Sequence, residues 1–314
     1  VDLSIVLPVY NEEKNISLLY EKLDKVLKGL NKSYEIIFVN DGSKDNSYDE
    51  LVKIAENDKN VKIINLRKNF GQTAAMAAGI DYSIGEIIIL MDSDLQNDPE
   101  DIPALIDKIN EGYDVVSGWR KKRKDPLFSR KIPSFIANLL IKKISNVNVK
   151  DLGCSLKAYK KDVLKSIRLY GDMHRFIPIY ASWVGAKITD LPVKHHPRQF
   201  GKSKYGISRT FKVIIDLFAM KFLGSYSTKP MHFFGKIAGL HFIFAILWSF
   251  IYLYRVIKSK KFLTDESLVL IFLFWALTVL FIGFGLLAEV MVRVYHESQN
   301  KPTYIIKDKI NFDK

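Results

Sequence analysis

Residues 88–96 read "IILMDSDLQ", an apolar run that ends in two aspartates, Asp92 and Asp94, with one serine between them. Burying one carboxylate is costly, and holding two side by side costs more unless positive charge compensates. Either the run ends in water at that point, or a cation sits with the pair. Two other apolar runs end in similar clusters. "VLPVYNEE" carries Pro8, Tyr10, Asn11 and Glu12, and "IIFVNDGS" carries Asn40, Asp41, Gly42 and Ser43. A lone Asp-x-Asp is usually a turn or a cap. One that follows an apolar run and is matched by two further polar run ends points to a shared site.

The elements that must position these residues can be read from the pattern. "LSIVLPVY", "YEIIFVND", "VKIINLR" and "GEIIILMDSD" are short, rich in Ile and Val, and bounded by Asn, Asp, Gly and Pro. They predict buried parallel strands. Between them lie amphipathic stretches, with Ile16, Leu19, Leu23, Val26, Leu27 and Leu30 at helical spacing in the first. "SYDELVKIAEND" and "QTAAMAAGIDYSIG" are expected to behave the same way. Alternating strands and helices predict an α/β, mostly parallel sheet with right-handed crossovers. Ligands of such sheets bind outside the carboxyl ends of the strands, so the three acidic run ends would converge on one crevice. A nucleotide diphosphate suits that crevice if a hard, oxygen-liganded divalent ion, Mg²⁺ or Mn²⁺, bridges carboxylates and phosphates. No glycine-rich dinucleotide motif follows a soluble strand and no P-loop occurs; "GFGLLA" at 283–288 lies in an apolar span.

The chain has 314 residues and a formal net charge of +13, enough for roughly two domains and suited to an anionic partner. The one cysteine, Cys154, excludes an intrachain disulfide framework. No signal peptide is expected at the start of the sequence. The material changes at Phe233. Residues 233–254 and 267–290 are each about the ~20 apolar residues a bilayer span needs. Two spans put residues 1–206 and a tail at 293–314 on one side. The flanking charges do not choose that side: Arg255, Lys258, Lys260 and Lys261 balance Lys221, Lys229, Arg293 and Lys301. Two basic amphipathic stretches, 129–147 and 208–226, complete the picture. The first reads equally as an interfacial or a globular helix, and the second as an interfacial helix and linker spanning 207–231.

"LPVYNEE", "VNDGSKDNS", "LRKNFGQTAAMAAGID", "MDSDLQNDPE", "VSGWRKKR", "DLGCSLKAYKKDVL" and "HHPRQFGKSKYG" occur in this order. Together they resemble the family 2, GT-A-fold glycosyltransferases that load a sugar onto a polyprenyl phosphate. The dolichyl-phosphate mannose synthases and the bacterial undecaprenyl-phosphate glucosyl and aminoarabinosyl transferases are of this kind. The ending "VRVYHESQNKPTYII" is nearer the bacterial members. The resemblance covers nearly the whole chain. It implies a GT-A catalytic domain, interfacial helices and a two-helix transmembrane hairpin. It also implies a nucleotide-sugar donor, a polyprenyl phosphate acceptor, a bilayer and a metal cofactor, Mg²⁺ or Mn²⁺. By this resemblance Pro8, Tyr10, Glu12, Val39 and Asp41 line the nucleotide site, and Asp92 and Ser93 face the nucleotide sugar. Asp94 and Gln96 hold the metal. Arg120, Arg130, Ser134, Arg198 and Lys204 bind donor and acceptor phosphates. Lys121, Lys122 and Lys124 read as generic basic surface, and His195 and His196 as loop-positioning residues.

The resemblance has departures. The acidic pair before Gly-Ser is Asn40-Asp41 here, and "GDMHRFIPIYASW" lacks the acidic or glutamine residue of the mannose synthases, which weakens a mannose assignment. The Gln-x-x-Arg-Trp motif of processive synthases is absent. The expected enzyme is an inverting transferase at the cell's inner membrane. Its catalytic domain faces the cytoplasm, where nucleotide sugars are, and a UDP-hexose is favoured. Rivals are a transferase with another membrane acceptor and a catalytically silent membrane scaffold. No nucleic-acid module accompanies the basic charge. The oligomeric state stays open, a homo-oligomer included.

Overall fold

The computed structural model describes residues 1–121, 149–169, 173–197, 231–259, 266–298 and 303–312. The two basic amphipathic stretches, with Arg130, Ser134, Arg198 and Lys204, lie outside the described residues. The chain divides into two compact units, Val1–Asp216 together with Pro302–Lys314, and Leu217–Lys301.

The first unit is built on one mixed sheet. Its strands are β1 (Leu3–Val9), β2 (Tyr34–Asn40), β3 (Val61–Leu66), β4 (Ile87–Leu90), β5 (Val115–Trp119), β6 (Lys157–Lys160), β7 (Ile188–Pro192) and β8 (Ile306–Ile310), in the order β7-β5-β6-β4-β1-β2-β3-β8. The four Ile/Val runs read from the sequence form the parallel centre β4-β1-β2-β3. β6 runs antiparallel to β4 and β5, and β8 antiparallel to β3.

Strand residues alternate between two cores, as period-2 geometry requires. Leu3, Ile5, Leu7 and Val9 of β1 join Ile36 and Phe38 of β2. They pack on α1 (Glu13–Lys28), α2 (Ser47–Asn57) and α4 (Ile102–Asn110). Val6, Ile37, Val39, Ile88 and Leu90 face the other way. There they meet α3 (Gln72–Tyr82), Leu164 of α5 (Lys161–Lys165) and Ile177 of α6 (Ile177–Trp183).

Two expectations change. α3 is buried nearly all round rather than amphipathic: Thr73, Ala74, Ala75, Met76, Ala78, Gly79 and Ile80 are all inside. Its small residues let its backbone lie directly on β1 and β2. A Cβ on Gly79 would sit 2.3 Å from Cγ1 of Val6 and 3.2 Å from Cγ2 of Val39. Nor is 293–314 a simple tail. After the apolar helices the chain returns as edge strand β8, with Ile63 opposite Ile310 and Asn65 opposite Asp308. Specific polar contacts hold it there. Tyr304 Oη donates to Asp81 Oδ2 at 2.8 Å, and Asn311 Nδ2 donates to the carbonyls of Ala55 (2.7 Å) and Val61 (2.8 Å).

The second unit is a helical hairpin, α7 (Met231–Ser259) and α8 (Glu266–Ser298). The expected spans at 233–254 and 267–290 fall inside these longer helices. Phe233–Lys258 and Glu266–Ala288 are long and apolar enough to cross a membrane, by length and composition. Small residues and aromatic pairs join the helices. Ala238 and Ala245 are buried, and a Cβ on Gly285 would lie 2.6 Å from Sδ of Met231. Phe244 stacks on Phe274 at 5.5 Å, and Phe242 meets Trp275 edge-on at 5.5 Å. Arg255 Nη1 donates to Ser267 Oγ at 2.9 Å, tying the last turns of α7 to the start of α8. The outer faces expose large apolar side chains, Phe272 at 79% among them. A surface of this kind suits lipid rather than water.

The close α3–β1 contact gives a stability prediction. Gly79→Val should lower stability by about 1–3 kcal/mol through overpacking against Val6 and Val39. A fluorescence-detected melt of the detergent-solubilised protein reads this directly, and an unchanged melting temperature would refute the tight contact.

Candidate active site

β1 lies between β4 and β2, so the three acidic run ends do meet at one edge of the sheet. The backbone fastens them beyond the last ladder residues. Met91 N–H donates to Val6 O at 3.2 Å, and Asp41 N–H to Val9 O at 2.8 Å. Side chains then knit the loops. Ser93 Oγ donates to Pro8 O at 2.8 Å. Asn11 N–H donates to Ser43 Oγ at 3.0 Å while Asn11 Oδ1 accepts from Lys44 N–H at 2.7 Å. Glu12 N–H donates to Ser47 Oγ at 2.8 Å, and Glu12 Oε2 accepts from Asn15 Nδ2 at 2.5 Å. Gly42 has φ +64°, and a Cβ there would lie 2.5 Å from the carbonyl carbon of Lys68. Only glycine allows the loop after β2 to press so closely on the loop after β3.

The acid pair sits at the mouth of this knot. Asp94 is only 7% exposed and its Oδ1 accepts from Gln96 N–H at 3.2 Å. Asp92 is half-buried, with Oδ1 accepting from Gln72 Nε2 at 2.6 Å and its N–H donating to Ser155 Oγ at 3.3 Å. Burial, and then the neighbouring Asp94 charge, push the Asp92 carboxyl up to about 6; Ser155, Lys157 and Arg120 pull the other way. The turn is strained. Leu95, a buried leucine, has φ +59°, a conformation that bulky side chains seldom adopt. Strain of this kind persists where surrounding structure enforces it, often at functional sites.

That enforcement comes from two sides. Ser155 Oγ, already bonded to Asp92 N–H, accepts from Asn97 Nδ2 at 2.7 Å. From the segment after β7, His196 N–H donates to Gln96 O at 2.9 Å, and His196 Nε2 meets Asp98 Oδ2 at 2.9 Å. Burial opposes ionisation of Asp98, yet the bonds from His196 and from Glu100 N–H, with the Lys194 charge, hold its carboxyl below the usual range. His196 therefore ties the segment after β7 to the turn. Behind the pair, Lys157 on β6 is 3% exposed. Its Nζ donates to the carbonyls of Leu152, at 3.1 Å, and Cys154. Burial pushes this ammonium down in pKa, partly offset by nearby Cys154, Asp151 and Asp92.

The expected site residues divide into three groups. Asp92, Asp94, Gln96, Pro8, Tyr10 and Glu12 come together at the crevice. Four others have partners or packing within the protein itself. Asp41 gives both oxygens to backbone, accepting from Phe70 N–H at 2.7 Å and Gly71 N–H at 3.0 Å, so it orders the loop that leads to Gln72. Val39 is fully buried against α3, so its side chain is core. Ser93 directs its hydroxyl to Pro8 rather than outward. Arg120 closes a fork on Asp151, Nε to Oδ2 at 2.7 Å and Nη2 to Oδ1 at 2.9 Å, instead of presenting those donors to a phosphate. The third group, Arg130, Ser134, Arg198 and Lys204, falls outside the described residues. Sequence reasoning missed Gln72, Ser155, Asn97 and Lys157. Lys157, a cation inside the strand run "SLKAY", was the one visible signal.

The chemistry of the donor set fits a hard divalent ion. Asp94 and the Gln96 amide could offer oxygen, and the raised Asp92 carboxyl shows that its charge is held at a cost that a cation would offset. Among the described residues no cluster of three or more His, Cys, Asp or Glu could enclose a metal by itself. An ion held by one or two carboxylates needs substrate oxygens to complete its shell.

Comparison with known proteins agrees with this architecture. Residues 4–168 match the family model described as "Glycosyl transferase family 2". The chain is 40% identical to "Dodecaprenyl-phosphate galacturonate synthase" of Rhizobium johnstonii over 98% of this chain and 92% of that one. It is 34% identical to "Undecaprenyl-phosphate 4-deoxy-4-formamido-L-arabinose transferase" of Salmonella choleraesuis, over 98% and 93%. The fold is GT-A. It superimposes with a TM-score of 0.51 at 16% identity on glucosyl-3-phosphoglycerate synthase from Mycobacterium tuberculosis "in complex with Mn2+ and uridine-diphosphate-glucose", covering 70% of this chain and 78% of that one. The chain belongs to glycosyl transferase family 2, an enzyme family.

The raised Asp92 carboxyl sets a pH test. A carboxyl with a raised folded-state pKa stabilises the protein fully below its unfolded value, near 4, and loses that contribution as pH rises through about 6. In metal-free protein, Asp92→Asn should match the wild type at pH 4 and exceed it above pH 6. The gain should be on the order of 2 kcal/mol, discounted for the group's exposed edge. Melting curves at pH 4, 6 and 8 in a chelator measure the difference. Parallel curves would show that Asp92 is not held against ionisation.

Proposed function

We propose that this chain is a membrane-anchored, inverting, metal-dependent transferase that moves a hexose from a nucleotide-diphosphate sugar, by preference a UDP-sugar, to a polyprenyl phosphate. The observation that carries this is the end-to-end alignment, hairpin and return strand included, with two enzymes whose names specify a polyprenyl phosphate. The crevice chemistry supports it independently. Three strand ends supply a pair of acids with a demand for positive charge, and a diphosphate leaving group supplies the ligands that such an ion lacks.

In the proposed reaction an acceptor phosphate oxygen attacks the anomeric carbon as the bond from that carbon to the nucleotide diphosphate breaks, with inversion. A phosphate monoester is largely ionised at neutral pH, so no strong general base is required. Bound Mg²⁺ or Mn²⁺ would neutralise charge on the departing diphosphate. Asp94 and Gln96 would hold that ion, and Asp92, oriented by Gln72, would face it from the sugar side. Pro8, Tyr10 and Glu12 would border the nucleotide. The remaining contribution of the chain is positioning, the larger part of catalysis where the nucleophile is already charged. Arg130, Ser134, Arg198 and Lys204 are assigned to the phosphates on family resemblance. The hairpin would anchor the enzyme at the inner membrane with the sheet unit in the cytoplasm, where nucleotide sugars are made.

The test is a transfer assay with the full chain in lipid nanodiscs. Donors are UDP- and GDP-hexoses and UDP-galacturonate, each with Mg²⁺ or Mn²⁺. Acceptors are polyprenyl phosphate, polyprenol and diacylglycerol. Transfer is expected to the monophosphate alone. Product on diacylglycerol and none on the monophosphate would overturn the acceptor. Asp94→Ala should reduce turnover by at least about a hundredfold, comparable to removing a principal electrostatic contact. Unchanged turnover would remove Asp94 from the metal site.

A further inference from the structure

Three strands carry polar side chains in a single cross-strand row at the site edge. Asn40 on β2 is in register with Asn65 on β3, and Asn65 with Asp308 on β8. Asn40 and Asn65 are 3% and 5% exposed. The row is bonded from end to end. Asn65 Nδ2 donates to Asp308 Oδ2 at 2.9 Å, Asn40 Nδ2 donates to Asn65 Oδ1 at 2.9 Å, and Ser43 N–H donates to Asn40 Oδ1 at 3.2 Å. Tyr48 Oη on α2 closes the outer end, donating to Asp308 Oδ1 at 2.5 Å.

The polarity of the row is fixed by its ends. An ionised carboxylate only accepts and a backbone N–H only donates, while each amide between them accepts on one side and donates on the other. Asp308 thus dictates the orientation of Asn65, Asn65 that of Asn40, and Asn40 receives Ser43 N–H in the loop after β2. That loop is the one already joined to Asn11 through Ser43 Oγ. The row also accounts for the amide at position 40. A carboxylate there would need Asn65 to turn its Nδ2 inward, leaving Asn65 Oδ1 against the Asp308 carboxylate. Buried groups without partners are costly, so the mismatch must appear somewhere along the row.

We propose that Asp308, on the strand that follows the apolar hairpin, is a positioning residue for the donor site, acting through Asn65 and Asn40 on the loop at Asp41–Ser43. This rests on the donor crevice proposed above. The predicted signature is a polarity reversal. Asp308→Asn alone is tolerated, because the introduced amide can turn its oxygen to Asn65 Nδ2 and its nitrogen to Tyr48 Oη, whereas Asp308→Ala leaves Asn65 Nδ2 without its acceptor. Asn40→Asp places the clash at Asp308. The double variant restores every bond with both amide directions reversed. The introduced amide at position 308 would donate to Asn65 Oδ1, and Asn65 Nδ2 and Ser43 N–H would donate to the introduced carboxylate at position 40.

The experiment uses the full chain in nanodiscs and two readouts, hydrogen–deuterium exchange of the 40–47 segment and calorimetric titration with UDP plus Mn²⁺. Asn40→Asp and Asp308→Ala should each speed exchange in that segment and weaken UDP–Mn²⁺ binding by about five- to tenfold, while Asp308→Asn alone and the double variant of Asn40→Asp with Asp308→Asn should both stay within about twofold of wild type. Tyr304→Phe is the control, because it cuts a different anchor of the return strand, at Asp81, without touching the row. It should lower the melting temperature and leave both readouts unchanged. A double variant as impaired as Asn40→Asp alone, or a Tyr304→Phe effect equal to that of Asp308→Ala, would overturn the relay. If Asp308→Ala fails to fold, a folded double variant with wild-type exchange still supports the relay, and an unfolded one refutes it. Wild-type protein that shows the exchange pattern but no UDP–Mn²⁺ binding would sink the donor assignment while leaving the relay standing.

Discussion

Two carboxylates at the end of one short strand, in a setting that resists their charge, are the constraint around which the sheet unit is organised. A protein interior raises the cost of each charge, and proximity raises it again. The structure meets this cost with fixed partners: Gln72 and Ser155 on Asp92, the Gln96 N–H on Asp94, and the positive groups Lys157 and Arg120 behind. These temper the charge of the pair, yet the Asp92 carboxyl is still pushed up to about 6. What remains is a localised demand for a cation, held on a turn whose leucine is in a disfavoured conformation. The loops from β1, β2 and β3 and the segments on either side of the turn all help to hold that arrangement.

The positive partners show how placement divides labour among similar residues. Arg120 and Lys157 are both cations near the acids, yet each is committed elsewhere, one to Asp151 and one to loop carbonyls. Their field reaches Asp92 while their donors are used to shape the 151–156 loop. That loop in turn presents Ser155 to the acid turn. A cation acting at a distance biases the site without competing for its ligands.

The strands and the crevice were legible in the sequence because Ile/Val runs of four to seven residues have few alternatives to a buried parallel sheet. Strand-end clusters then had to meet, since parallel strands share a carboxyl edge. Side-chain direction beyond the strand end was not legible. Whether Ser93 points to a sugar or to Pro8, or whether Asp41 meets a ligand or the Phe70 backbone, depends on loops 29 to 85 residues away in sequence. α3 was misjudged because Ala and Gly read as weakly apolar, although their small size is what lets the helix be buried all round. The return of β8 was hidden by its composition. "IKDKI" sets three charged residues between two isoleucines, as an exposed edge strand tolerates, but so short a stretch has no signal strong enough to name a partner some 240 residues earlier.

That return strand also sets an order of assembly. A ribosome delivers β1 to β7 first, then the apolar hairpin, and only afterwards the residues that complete the sheet edge at β3. Domains usually begin to fold as they emerge. Here the nascent sheet must wait with one edge unpaired and Asn65 lacking its carboxylate partner until both apolar helices have left the ribosome. Completion of the sheet thus follows synthesis of the hairpin, so a chain interrupted inside the hairpin carries every acid of the crevice and still lacks its finished edge.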